Sequence, residues 1–438
     1  MALLVLVMLG VHVAIALGMT SVLGIYLVTG QMRIVEAMVA STATEALRDF
    51  TFAVIPLFML MGEFVGRSGA ITDIYQGINR GLRRLPGRLA VATILGNAIF
   101  SFVTGVSIAS AAAFSRIAYP EMKALGYQRG FALGTIAGSS CLGMLIPPSV
   151  LMIVWGILTE QSIGQLFLAG VLPGFMLVIL FLAYVMAAAT LRGDLVGEGP
   201  ARQAHARNPD GGAPAPAPVE PRSMLVSALG IALIVVAVLG GIWFGYFTPT
   251  EGAGAGAALA LMFAFLKGMR GRMLFEAILS VGRTAAPILL LLLTAALYSR
   301  TLAMTGVTSA VQDFFLSTGL SPELILAAMV LVWFLLGMVI DSISIMLLTV
   351  PIFEPLAASL GYDRIAFAVI GILAIEAGLL TPPFGLLVYT VKAAIQDDDV
   401  SVGQIFLSSI PYWLIMLAGI LAIVAFPGIA TLLPGLLF

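Results

Sequence analysis

A 45-residue stretch of this chain occurs twice, and no other feature narrows the fold as much. The first copy begins at Ser107 and the second at Ser342, an offset of 235 residues. Pro120 recurs as Pro355, Leu125-Gly126-Tyr127 as Leu360-Gly361-Tyr362, Arg129 as Arg364, Gly143 as Gly378, and Pro147-Pro148 as Pro382-Pro383. Aligned without gaps, 13 of the 45 positions are identical, where so apolar a composition would give roughly four by chance. Each copy carries a polar, Ser- or Gly-bearing break and then a Pro-Pro pair. Proline removes a backbone donor and collides with the preceding turn, so each pair divides a helix into two halves. Matched breaks in two halves of an apolar chain are the sequence mark of a transporter site built from discontinuous helices.

The apolar runs settle the environment. Hydrophobic residues make up 61% of the chain and charged residues 10%, against about 25% charged in a soluble domain. Many runs exceed the ~20 residues that cross a bilayer as a helix. Hydrocarbon admits only helices and closed barrels, and the strict alternation of a barrel is absent. The fold class is therefore an all-α polytopic membrane protein with two inverted repeats, each holding a re-entrant helical hairpin and a Pro-broken helix. The net charge of −1 gives no reason to expect a nucleic-acid partner, and the single Cys141 excludes an internal disulfide. His12 and His205 are isolated, so no transition-metal centre is expected. Phosphate-loop, nucleophile-elbow and zinc motifs are missing. ATP hydrolysis and intramembrane enzyme chemistry lack their residues, and paired breaks suit two-state access better than a passive channel. The N-terminus has no charged n-region and reads as a first span rather than a removed signal peptide.

In chain order, residues 1–191 form the first repeat. It holds a span at 3–28, a polar stretch with Arg33, Glu36, Glu45, Arg48 and Asp49, and a span at 52–65. An amphipathic arm at 67–88 is expected to lie in the membrane interface. A hairpin at 89–125, a broken helix at 131–158 and a closing span at 166–191 follow. Segment 192–222 is a hydrophilic Pro/Ala linker, expected to be extended, disordered and cytoplasmic. A linking span covers 223–247. The second repeat occupies 252–438 and opens on Gly252, Gly254 and Gly256, which permit close helix packing. It holds a span at 285–303, a hairpin at 324–358, a broken helix at 365–391 and a last apolar segment at 402–438. Counting Lys and Arg puts the N-terminus in the cytoplasm and the C-terminus in the periplasm. Arg67 to Arg88, Lys123, Arg129, the linker, Lys267 to Arg283 and Lys392 then fall inside, with only Arg33, Arg48, Arg300 and Arg364 near the outer face. The first hairpin opens inward and the second outward.

Broken helices leave carbonyls and amides without helical partners. Carbonyls with Ser and Thr hydroxyls suit sodium, and half-helix N-termini suit an anionic group. The candidate sodium- and substrate-binding residues are Gly105, Ser107 and Ser110 with Gly138, Ser139 and Pro147 in the first half, and Asp341, Ser342 and Ser344 with Gly378, Thr381 and Pro382 in the second. Small residues also serve helix packing in membranes; repetition of both breaks at one register favours a site. Asp341 either charges a cation site or caps the half-helix beside it. Glu376 is a proton carrier or a structural hydrogen-bond partner, the second being preferred. Arg116 attracts an anion or snorkels to the surface, and again the second is preferred. Glu63 and Glu251 sit near span ends.

The segments GVSIASAAA, LGMLIPPSVLMIVWG, FTPTEGAGAGA, LLGMVIDSISIMLLTVPIFEPL and IEAGLLTPPFGLLVY resemble the large membrane subunit of the tripartite ATP-independent periplasmic (TRAP) transporters, the DctM family. The resemblance covers nearly the whole chain. It implies an elevator-type ion-transporter fold in the bacterial inner membrane and sodium-coupled import of a small organic anion, of the carboxylate or dicarboxylate class. It implies no cofactor, with Na+ as the coupling ion, and it assigns sodium and substrate contacts to the hairpin tips and the broken helices facing them. Two partners are implied, a small DctQ-like membrane subunit of about four helices and a periplasmic, DctP-like solute-binding protein. The alternative within the same superfamily is a stand-alone sodium- or proton-coupled anion symporter. The 192–222 linker is longer than is usual in the family, and the small subunit is not expected as an N-terminal fusion.

Overall fold

The computed structural model describes residues 2–197, 221–395 and 397–438. Most of the linker expectation falls on residues 198–220, outside the described residues. The first half contains α1 (Ala2–Met8), α2 (Val13–Thr29), α3 (Met32–Arg48), α4 (Val54–Arg67), α5 (Ala70–Gly81), α6 (Arg88–Thr104), α7 (Ser107–Ala124), α8 (Arg129–Ser140), α9 (Leu142–Leu145), α10 (Val150–Thr159) and α11 (Ile163–Leu191). The chain resumes with α12 (Pro221–Trp243). The second half follows with α13 (Pro249–Leu266), α14 (Arg272–Thr305), α15 (Val307–Ser317), α16 (Pro322–Gly337), α17 (Ser342–Ser359), α18 (Arg364–Gly378), α19 (Leu386–Ala394), α20 (Val402–Ala425) and α21 (Gly428–Leu437). Among the described residues no strand occurs, and eight helices are long and apolar enough to cross a membrane. The protein is a multi-pass helical membrane protein.

The helices sort into two packed groups. In the first, α4 lies along α13 and α14, and α14 along α2 and α3. Close approach of α13 depends on two of its glycines. A Cβ at Gly256 would stand 2.6 Å from the Met61 sulfur, and one at Gly252 would stand 2.8 Å from Ile242; Gly254 meets nothing. The capping box of Thr248 and Glu251 starts α13, which accounts for Glu251, while Glu63 pairs with Arg67 one turn away on α4. In the second group, α6 and α7 form one helical hairpin, α16 and α17 the other, and α8, α18 and α20 pack between them.

Four segments differ from the sequence expectation. The first span is interrupted at residues 9–12, where His12 caps α2 through its Nδ1. The polar stretch after it is the helix α3, whose Val35, Thr42 and Ala46 are buried against α2 and α14. Arg300 of α14 reaches Thr42 at 3.0 Å and pairs with Glu45. Arm helix α5 turns its apolar residues Ile71, Ile74 and Tyr75 onto α6 and α12 rather than onto lipid. Asp73, on the same face, takes hydrogen bonds from Lys267 (2.6 Å), Ser223 (2.8 Å) and Ser227 (2.6 Å), tying the arm to α12 and the end of α13. Burial pushes the Asp73 carboxyl up, but these donors outweigh burial and leave it below its ordinary value. Finally, α14 is far longer than the expected span, and α15 is an additional helix.

The repeat runs past the Pro-Pro pairs. Ser162-Ile163-Gly164-Gln165-Leu166-Phe167-Leu168 matches Ser401-Val402-Gly403-Gln404-Ile405-Phe406-Leu407, now at an offset of 239. Ser162 and Ser401 both cap the helix that follows, α11 and α20. The second half therefore carries four extra residues in the 395–400 loop. Asp397 there accepts hydrogen bonds from Tyr119 (2.7 Å) and Lys123 (2.7 Å) of α7, and Asp399 from Arg129 (3.1 Å). The insertion clasps the base of the first hairpin. Its counterpart on the second hairpin is thinner. Arg364, the repeat partner of Arg129, pairs with Glu354 of its own hairpin and donates one bond to the Thr159 carbonyl (3.1 Å).

Candidate functional site

Each hairpin turns on a short non-helical tip that presses on a Pro-broken helix. Gly105 has φ +62°, and a Cβ there would fall on the Pro148 carbonyl oxygen. Its own carbonyl accepts the Val150 amide at 3.1 Å, just past the break between α9 and α10. At the second tip Gly337 lies against Gly378, where a Cβ would stand 2.7 Å from the Gly378 Cα. The Phe384 amide, past the second break, donates to the Met338 carbonyl at 3.0 Å. Both Pro-Pro bonds, Pro147-Pro148 and Pro382-Pro383, are cis.

The first-half candidates gather tightly and are buried. Ser107 and Ser110 are fully buried, and neither hydroxyl has a hydrogen-bond partner among the described residues. Gly143 holds the tip close, since a Cβ there would stand 3.0 Å from the Ser107 Cα. Pro147 is buried within the break. Ser139 donates to the Thr135 carbonyl (2.6 Å) and accepts from Asn97 of α6 (2.7 Å). The Asn97 side-chain oxygen, Oδ1, is buried and has no hydrogen-bond partner among the described residues. Gly138 makes room for the Tyr412 ring of α20, so its smallness is spent on packing.

The second-half candidates divide differently. Asp341 caps α17 by accepting the Ser344 amide at 3.0 Å. It also lines a cavity of about 450 Å³ with Ser344, Ile340, Phe384 and the α1–α2 bend at His12. The carboxylate thus both caps a helix and borders a cavity. The Thr381 hydroxyl is engaged with the Gly378 carbonyl (2.6 Å), Gly378 packs on Gly337, and Pro382 is exposed at the break.

Glu376 joins the two halves. It is 1% exposed, and neither carboxyl oxygen makes a hydrogen bond of regular geometry among the described residues. The hydroxyls that face it are Ser107 and Ser342, one from each tip and equivalent in the repeat. Its backbone carbonyl meets the Cys141 sulfur at 3.8 Å, and Cys141 is its own repeat counterpart. The pseudo-two-fold relation between the halves thus passes beside this one carboxylate. The buried oxygens of Glu376 and Ser107, with the Ser342 hydroxyl from the other tip, are of the kind that suits a hard monovalent cation. Asn97 was missed in the sequence, although a lone amide inside an apolar run is a usable signal.

A model of the family described as "Tripartite ATP-independent periplasmic transporter, DctM component" matches residues 1–429. The C4-dicarboxylate TRAP transporter large permease protein DctM of Pseudomonas aeruginosa is 29% identical over 395 residues, covering 89% of this chain and 87% of that protein. The ectoine TRAP transporter large permease protein TeaC of Halomonas elongata is 26% identical over 442 residues (99% and 97%). The sialic acid TRAP transporter large permease protein SiaM of Vibrio cholerae is 28% identical over 391 residues (89% and 87%). Among solved structures, the Alcanivorax borkumensis YdaH transporter, described as having an unusual topology, superposes with a TM-score of 0.62 at 16% identity, over 93% of this chain and 88% of that one.

Proposed function

This chain belongs to the DctM family, the large permease component of TRAP transporters, and from that premise we propose that it imports a small carboxylate-bearing solute by sodium-coupled alternating access. It is a secondary-transporter subunit and not an enzyme. The observation that carries the reading is the convergence of both hairpin tips on one buried carboxylate. A cation at Glu376, with hydroxyls from Ser107 and Ser342, would be held by both tips at once, so its binding would draw the hairpins together. The amino ends of α7 and α17 then offer positive dipole ends to an anionic group beside it. The relatives are named for C4-dicarboxylates, ectoine and sialic acid. A carboxylate is common to these compounds, and it is the cargo feature the proposal commits to.

In this reading the chain sits in the inner membrane with its N-terminus in the cytoplasm. It works with a small membrane subunit and a periplasmic solute-binding protein. The hairpin-bearing group of helices moves against the group built on α2, α4, α13 and α14. The test is uptake into proteoliposomes holding both membrane subunits, with the binding protein added outside. A sodium gradient should drive accumulation, and equal uptake without the gradient would remove sodium from the mechanism.

A further inference from the structure

The open faces of most outer helices carry large apolar side chains. Ile15, Met19, Leu23 and Leu27 are exposed on α2, and Leu225, Leu229 and Leu233 on α12. Such faces suit lipid. The open face of α7 is of another kind. Its exposed residues are Ala109, Arg116, Pro120 and Lys123, with Ala112 and Ala113 half-buried between them. These positions recur at helical spacing along one side of the helix. Arg116 has no ion pair or hydrogen bond to any described residue. It stands nine residues from Ser107 and seven from Lys123, about 13 Å from the tip and about 10 Å from the base at 1.5 Å per residue. An arginine there is costly against hydrocarbon and cheap against water, and the neighbouring alanines give lipid little to hold.

The equivalent face of α17 is a control built into the chain. Ser344, Leu347, Leu348, Pro351 and Pro355 stand in its matching positions and are buried or half-buried, while Ala358, opposite Lys123 at the base, is exposed; α14 and α15 pack against the helix. The repeat partner of Arg116 is Pro351, which carries no charge.

We propose that the open face of α7 lines a water-filled passage between the first hairpin tip and the side on which that hairpin opens, and that Arg116 is the cation that guides a carboxylate-bearing solute along it. This rests on the transport reading above for the identity of the cargo. The passage itself is tested without any cargo. Cysteines are placed at Ala109 and Ala112, and at Leu233 as a lipid-facing control, in the assembled transporter in inside-out vesicles. The buried Cys141 adds little background. Each vesicle sample is treated with an anionic and a cationic methanethiosulfonate reagent of similar size. Both reagents should label positions 109 and 112 and spare 233, with the anionic reagent favoured at 112. Arg116→Gln should lower the anionic-to-cationic rate ratio by about tenfold, the effect of one unit charge about 6 Å away in water. Arg116→Lys should restore the ratio. Absence of labelling at both 109 and 112 would overturn the passage, and an unchanged ratio in Arg116→Gln would overturn the guiding role. A failure of sodium-driven uptake would leave either labelling result standing, so the two readings fail separately.

Discussion

The pair α7 and α19 and the pair α10 and α17 hold equivalent places in the two repeats, yet one pair is open and the other closed. On the closed side Val150 to Gly156 of α10 are buried. Trp155 there meets Trp333 and Phe367 with ring centroids 6.0 and 5.9 Å apart, and Phe353 of α17 completes the cluster against Trp333. On the open side Leu386, Tyr389 and Ala393 of α19 are exposed, and so is the α7 stripe. The break follows the same division, with Pro147 and Pro148 buried and Pro382 and Pro383 exposed. On the proposed alternating access, part of this difference would be conformational, because that mechanism exchanges the exposure of equivalent faces. Part is written into the residues. Arg116 opposite Pro351 and the inserted clasp at Asp397 remain whichever face is open.

The comparison can be broken at several points. The largest effect is expected at the tips, which are alike in both halves: Ser107→Trp and Ser342→Trp should each cut sodium-driven uptake by about a hundredfold or more, since displacing bound groups by about 1 Å already costs that much. Assembly of the complex, read by size-exclusion chromatography, should be retained. Normal uptake by either variant would remove that tip from the site. Next comes the closed face. Gly371 has room for nothing larger, as a Cβ would stand 2.8 Å from the Trp155 ring, so Gly371→Val should cost about 1–3 kcal/mol by overpacking. Ala112→Leu on the open face should stay within about 0.5 kcal/mol. Equal losses of thermal midpoint for these two would erase the distinction between the faces.

Smaller effects are expected at the hairpin bases. Asp397→Ala removes the acceptor shared by Tyr119 and Lys123, and hydrogen exchange over residues 119–129 should quicken several-fold. Arg364→Gln should change exchange at the second base less, because one cross-half bond is lost there. The reverse order would show that the insertion is not a clasp. Least of all should the first clasp respond to pH. Bonds from Lys123 and Tyr119 hold the Asp397 carboxyl down to about 2, from an ordinary 3.8. A depressed carboxylate contributes fully above its unfolded value and is lost only as pH falls through the folded one. Protection factors over the first base, which remove the intrinsic base catalysis of amide exchange, should therefore be flat from about pH 5 to pH 8.

The sequence carries the hairpins and broken helices because both are local. Gly and Ser at Gly105 and Ser107, and the paired prolines, fix where helices stop whatever surrounds them. Asp341 was readable for the same reason, since capping Ser344 needs only the next turn. What it lacks is distance information. The partner of Asp73 is Lys267 on another helix, and nothing near Asp73 announces it. Helix α3 reads as a polar stretch because its buried stripe of Val35, Thr42 and Ala46 is narrow and partly polar. The exposure of Arg116 and the burial of Pro147 depend on which face of the molecule is covered, which a linear pattern does not contain.

Glu376 lies beside the relation that exchanges the halves, and its repeat partner is the uncharged Cys141. The hairpin-bearing group therefore carries a single carboxylate beside this relation rather than a balanced pair. An ionised Glu376 travelling with that group is charge displaced through the membrane field, worth about 2.3 kcal/mol per elementary charge per 100 mV for a full crossing. With the cell interior negative, the field would push outward an empty carrier whose Glu376 is ionised. On the proposed reading, one bound sodium ion would cancel the Glu376 charge, and a further sodium for each uncompensated carboxylate of the cargo would leave the loaded crossing indifferent to voltage. Membrane potential would then set the pace of resetting rather than of delivery.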